Sequence, residues 1–222
     1  MLKNSTLKFL AALDRNNNKP WFEANRGKYE EAKADFLVLV QALLSKHGEK
    51  DASIASLEAK NCVFRINRDV RFSKDKRPYK NNFGAGFTSG GKKSPLAGYY
   101  FHCQPGNSFA GGGLWAPLPP DLKKVRQEID YCFAEFKKIT GNKKFTANFG
   151  GLETTGDISL VNVPRDFDKD NPAATFIKLK SFVATRKITD RELTSEALLP
   201  AALAAFEALQ PLLGFINRSL AE

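Results

Sequence analysis

Within the sixteen residues RINRDVRFSKDKRPYK, from Arg65 to Lys80, the chain sets seven cations against two carboxylates. Arg65, Arg68, Arg71, Lys74, Lys76, Arg77 and Lys80 carry the positive charge, and Asp69 and Asp75 the negative. A guanidinium offers a planar fork of donors that matches phosphate or carboxylate, and an ammonium adds a compact charge beside it. Such a cluster recognises anions, and Arg65, Arg68, Arg71, Lys74, Lys76, Tyr79 and Lys80 are the residues expected to do so. A phosphorylated small molecule and a nucleic-acid backbone both fit that chemistry. A second reading is an enzyme of phosphate-ester or acyl chemistry, with Asp69 or Asp75 as base, His102 assisting and the arginines stabilising developing negative charge. A third is an interaction protein whose motif is a lattice of ion pairs. Two acids cannot neutralise seven cations, which places the anion reading first.

Other site signals are sparse. The glycine-rich phosphate loop and the Gly-x-Gly-x-x-Gly dinucleotide fingerprint are both missing from the sequence. His47 and His102 are the only histidines, and no close His, Cys, Asp or Glu spacing marks a metal centre. Asp166, Asp168 and Asp170 alternate but read as a solvated acidic loop. Cys62, Cys103 and Cys132 are odd in number and far apart, as expected of buried apolar residues in a reducing compartment. No cofactor is indicated.

The elements that must position the motif are those of an α+β fold, an antiparallel sheet meander packed against several amphipathic helices. From Val63, Phe64, Ile66, Val70 and Phe72 alternate with Arg65, Asn67, Asp69 and Arg71, the period of a strand. Arg68 then falls on the apolar face, where it needs an acid such as Asp130, Glu135 or Asp166, unless a bulge near Asn67 moves it to the polar face to join the cluster. Alternation resumes over Tyr79 to Phe87 and over Tyr99 to Gln104, and Pro105-Gly106-Asn107 turns the chain into a hairpin with Ser108 to Trp115. The glycines at 84, 86 and 111 to 113 mark close approach of a ligand or of another backbone. Together these segments are expected to converge on one concave site, with the loop from Ser73 closing over it.

Helical spacing predicts a short helix from Ser5 to Leu13, a long one from Pro20 to about Lys46, and another from Asp121 that ends before Gly141. Residues 144 to 190 are expected to mix short strands with a helical turn after Pro172, and Ser181 to Lys187 to form a late strand. A last helix, capped by Thr194, runs toward Arg218 with a disturbance at Pro211. At 222 residues, with 42% apolar residues and no dividing linker, the chain is expected to form one domain, 1–222. Its formal charge of +10 favours anionic partners. The N-terminus lacks a signal-peptide pattern, and the run from Ala197 to Phe206 is short for a bilayer, so a cytoplasmic protein without membrane attachment is expected.

With these residues assembled, the chain resembles the uncharacterised bacterial and fungal family known as domain of unknown function 2461. The resemblance spans nearly the whole length: Trp21-Phe22, FRINRDVRFSKDKRPYKNNF from Phe64, YYFHCQPG from Tyr99, GGGLWAP from Gly111 and LKSFVATRKITDREL from Leu179. It implies no established activity or catalytic residue. The family pattern has Gly where this chain has Asp166 and commonly His where it has Asn171, so a family reaction that used that histidine would lack it here.

Overall fold

The computed structural model describes residues 1–71, 74–154 and 156–220. Phe72 and Ser73, the expected strand end and loop start, lie outside them. Ten α-helices and four strands are described, an α+β fold. The strands are β1 (Phe83–Phe87), β2 (Gly98–Cys103), β3 (Ser108–Leu114) and β4 (Phe182–Ile188), and they form one antiparallel sheet in chain order. The chain divides into two compact units, Met1–Phe87 with Tyr100–Ala110 and Lys187–Leu203, and Thr88–Tyr99 with Gly111–Arg186 and Ala204–Glu222. β2, β3 and β4 each contribute residues to both.

In the first unit, α1 (Asn4–Arg15), α2 (Lys19–Ala24) and α3 (Arg26–Gly48) bring apolar faces to a core rich in phenylalanine. Phe36 of α3 is fully buried against Phe83 and Phe101, with ring centroids 5.4 and 6.2 Å away. Such rings bury large apolar areas and dominate packing energy. The start of α1 is served by Asp35 of α3, which accepts from the Lys3 amide and the Thr6 hydroxyl, so Ser5 is not its cap. The single helix expected from Pro20 is two helices, because the Asn25 carboxamide donates to the Trp21 carbonyl and offers the backbone a local alternative. α4 (Ala59–Cys62) and α9 (Asp190–Leu193) are single turns. A reciprocal box of Thr189 and Glu192 caps α9, whereas Thr194 follows it.

The second unit carries α5 (Pro119–Tyr131), α6 (Phe133–Thr140), α7 (Lys143–Phe149), α8 (Ala174–Ile177) and most of α10 (Leu198–Leu220). The helix expected from Asp121 breaks at Cys132, whose backbone leaves the helical region. Phe136 of α6 meets Phe176 edge-on at 5.0 Å and Phe215 at 5.3 Å. α10 continues through Pro211 and, at 23 residues, is long and apolar enough to cross a bilayer; 56% of its most apolar 18-residue stretch is buried within the protein.

The Gly111-Gly112-Gly113 run of β3 answers the question raised by the strand glycines. Gly112 and Gly113 hold φ of 145° and 126°, a region closed to L side chains. A Cβ at Gly112 would land on the carbonyl oxygen of Gly98 in β2, and one at Gly113 on that of Phe182 in β4. Neighbouring backbone occupies the space. We expect Gly113→Ala to lower the free energy of unfolding by about 3 kcal/mol, the scale of combined strain and clash. Gly27→Ala, near the start of α3 with open space around it, should instead stabilise by about 0.5 kcal/mol. Urea denaturation of both variants checks the contrast; equal effects would contradict it.

Candidate functional site

The basic segment does not form the regular strand that its alternation predicts. Among the described residues it keeps two isolated bridges, Val63 to Ala85 and Asn67 to Tyr79. Pro78 has no N–H for a ladder, although its carbonyl accepts from Arg68. Asp69 and Asp75 each accept the backbone N–H two residues on, from Arg71 and Arg77, and these turns compete with strand pairing. The result is a ragged hairpin whose arms, 63–68 and 78–85, carry the charged loop between them. Its base is tied to the turn between α1 and α2: the Asn17 carboxamide donates to the Tyr79 carbonyl at 2.9 Å and accepts its N–H at 3.0 Å.

Within the loop each acid serves arginines. Arg68 pairs with Asp75 at 2.7 Å, not with Asp130, Glu135 or Asp166, which are taken by Asn171, Arg218 and Lys123. Its side chain is 26% exposed, so the deep burial expected from the register is corrected to a half-buried position. Arg77 reaches both Asp75, at 2.8 Å, and Asp14 of α1, at 2.9 Å. Arg71 forks onto Asp69 through Nε at 2.9 Å and Nη2 at 2.6 Å. The guanidinium of Arg77 holds the Asp75 carboxyl far below the usual carboxylate range, and that of Arg71 lowers Asp69. Asp14 escaped the sequence reading because it lies some sixty residues upstream and joins the loop only through the fold.

The cations still outnumber these partners. Arg65, Arg71, Lys74, Lys76 and Arg77 are exposed, and Arg68 and Lys80 are half-buried. Lys76 donates to the Val70 carbonyl at 3.0 Å. Tyr79 is corrected from an anion ligand to a core residue: it is 5% exposed and stacks on Phe22 at 4.0 Å, because the bridge to Asn67 turns its ring inward.

His102 lies on the opposite face of β2 from buried Phe101 and Cys103. Its Nε2 is 3.1 Å from the Gln104 amide oxygen, to which it donates, and its Nδ1 accepts from the Tyr100 hydroxyl at 3.1 Å. Its ring stacks on Phe109 at 4.8 Å. Burial lowers the His102 pKa, and the Lys80 charge lowers it further; burial also pushes Tyr100 up to about 12. Lys80 sits 5.6 Å over the exposed Phe64 ring, whose neighbour is Tyr100. Phe64 and Tyr100 lie across Gly86 and Gly84, so rings fill the space those glycines leave. Lys80 is thus the link between the basic segment and His102. Arg65, Asp69, Arg71 and Asp75 make no hydrogen bond or ion pair with His102 among the described residues.

The chain belongs to the family of conserved hypothetical proteins DUF2461, which matches residues 5–215. No curated protein and no solved structure matches it. Asp166 pairs with Lys123 at 3.0 Å and Asn171 donates to Asp130 at 2.5 Å.

Two titrations follow from this geometry. The Asp75 pKa is depressed in the folded state, so its contribution is fully present above the unfolded value of about 3.9 and is lost as pH falls through the folded one. Asp75→Asn should therefore be less stable than the native chain at pH 7, with the difference shrinking below pH ~4; urea midpoints across that range test it. The His102 pKa is also depressed, so the unfolded chain takes up the proton first and stability falls as pH drops through about 6.5. In an NMR titration the His102 imidazole should titrate below that value, and higher in Lys80→Met.

Proposed function

We propose that the cations of the segment 65–80 bind the phosphates of an anionic ligand, with a nucleic-acid backbone the favoured partner. The observation that carries this is the charge that remains after pairing. Among the described residues, ion pairs bring three carboxylates, Asp14, Asp69 and Asp75, to this group of seven cations, and five of the cations are exposed. Ion pairs inside the loop cost it conformational freedom before a partner arrives, so less ordering is required on binding. Closely spaced exposed cations suit a polyanion. Lys80 over the part-exposed Phe64 ring adds an aromatic face beside the charge. The enzyme reading has less support, since its aspartates bind arginines and its histidine meets Tyr100 and Gln104.

Fluorescence anisotropy with a labelled single-stranded oligonucleotide tests the proposal. Three exposed cations, Arg65, Lys74 and Lys76, each on one phosphate, predict about a twenty-fold loss of affinity between 50 and 200 mM salt, from roughly 0.7 log unit per contact for each tenfold rise. The Arg65→Glu, Lys74→Glu, Lys76→Glu triple variant should lose binding while keeping its melting temperature. Absence of binding at about 20 mM salt, where the Debye length is about 20 Å, would reject the nucleic-acid reading. Binding of nucleoside phosphates in its place, lost in the same variant, would identify a small phosphorylated ligand.

A further inference from the structure

Arg126 stands in the middle of α5 with only 9% of its surface exposed. Its Nη2 donates to the Leu179 carbonyl at 2.9 Å. Its Nε is sealed from solvent and has no hydrogen-bond partner among the described residues. No carboxylate forms an ion pair with it there either. Glu128 and Asp130, the acids nearest along α5, are engaged by Arg218 at 2.6 Å and by Asn171 at 2.5 Å. Asp166 is paired with Lys123.

The contrast with Arg218 in the same unit is informative. That guanidinium is 43% exposed, where an ion pair gains little, yet it has two carboxylates, Glu128 and Glu135. Arg126 is buried, where an unpaired charge is most unfavourable, and has none. Burial lowers its pKa, but arginine keeps its proton in proteins, so the group cannot escape by becoming neutral. A buried cation with one carbonyl partner and a spare N–H is half of an anion-binding arrangement. The missing half is an acceptor with negative charge, and the planar fork selects one with two oxygens.

We propose that Arg126 anchors a second anion site, separate from the loop 65–80, which takes a small oxyanion of the phosphate or carboxylate type between α5 and residues 178–180. Leu179 fixes the guanidinium through Nη2, and the Nη1–Nη2 edge, which is not sealed as Nε is, faces the ligand. The site lies wholly in the second unit and does not rest on the function proposed for the loop.

The test is thermal melting in inorganic phosphate against sodium chloride at matched ionic strength, with the native chain, the Arg65→Glu, Lys74→Glu, Lys76→Glu variant and that variant carrying Arg126→Met as well. The native melting temperature should climb with the logarithm of phosphate concentration, as for a ligand bound only by the folded state. The triple variant, whose loop cations are removed, should keep a phosphate response, and adding Arg126→Met to that variant should abolish it. A combined variant that folds and responds to phosphate as the triple variant does would overturn the proposal. Should the combined variant fail to fold, phenylglyoxal labelling of the native chain mapped by mass spectrometry decides: phosphate should slow modification at Arg126 severalfold, and equal labelling with and without phosphate would overturn the site.

Discussion

The position of the basic loop depends on one side chain that carries no charge. The Asn17 carboxamide supplies a donor to the Tyr79 carbonyl and an acceptor to its N–H, as a neighbouring strand would. Pairing both backbone groups of a buried residue removes the penalty of desolvating them. Tyr79 can then stack on Phe22, and the chain on either side of it is delivered to the surface. Asp14 lies three residues before Asn17 and meets both Arg77 and Asn81. The end of α1 and the turn after it therefore hold the basic segment by its backbone and by its charge.

That arrangement explains how so many cations tolerate one another. At an effective dielectric near that of a protein surface, like charges a few ångströms apart repel by about 4 kcal/mol. Asp75 between Arg68 and Arg77, and Asp69 within the fork of Arg71, interrupt the repulsion locally. They organise the loop without neutralising it. An ion-pair lattice and an anion-binding surface are thus compatible descriptions of the same residues, since the lattice supplies the order and the surplus supplies the attraction.

The sheet shows two solutions to the same difficulty. In β3 the glycines admit neighbouring backbone, and on β1 they admit the rings of Phe64 and Tyr100. In the second case a polar row, Tyr100, His102 and Gln104, is held under aromatic cover beside Lys80. Burial and that ammonium both disfavour the charged imidazole, so the row is neutral where the adjoining loop is strongly positive.

The sequence by itself determined the α+β class, the hairpin from β2 to β3, the apolar faces of α1 and α3, and the surplus of positive charge from Arg65 to Lys80. These are legible because side-chain period, turn residues and formal charge are local properties. Tertiary structure decided the rest. Alternation from Val63 failed to yield a strand because Pro78 and two aspartate turns remove ladder partners, which a period of two does not register. Tyr79 went to the core, and Arg68 found Asp75 on the returning arm of its own hairpin instead of a helix acid. The lack of an acid beside Arg126 was equally invisible, since α5 carries Glu128 and Asp130 within one turn of it. Only the folded chain assigns those carboxylates elsewhere, because the reach of a side chain is measured in space and not along the sequence.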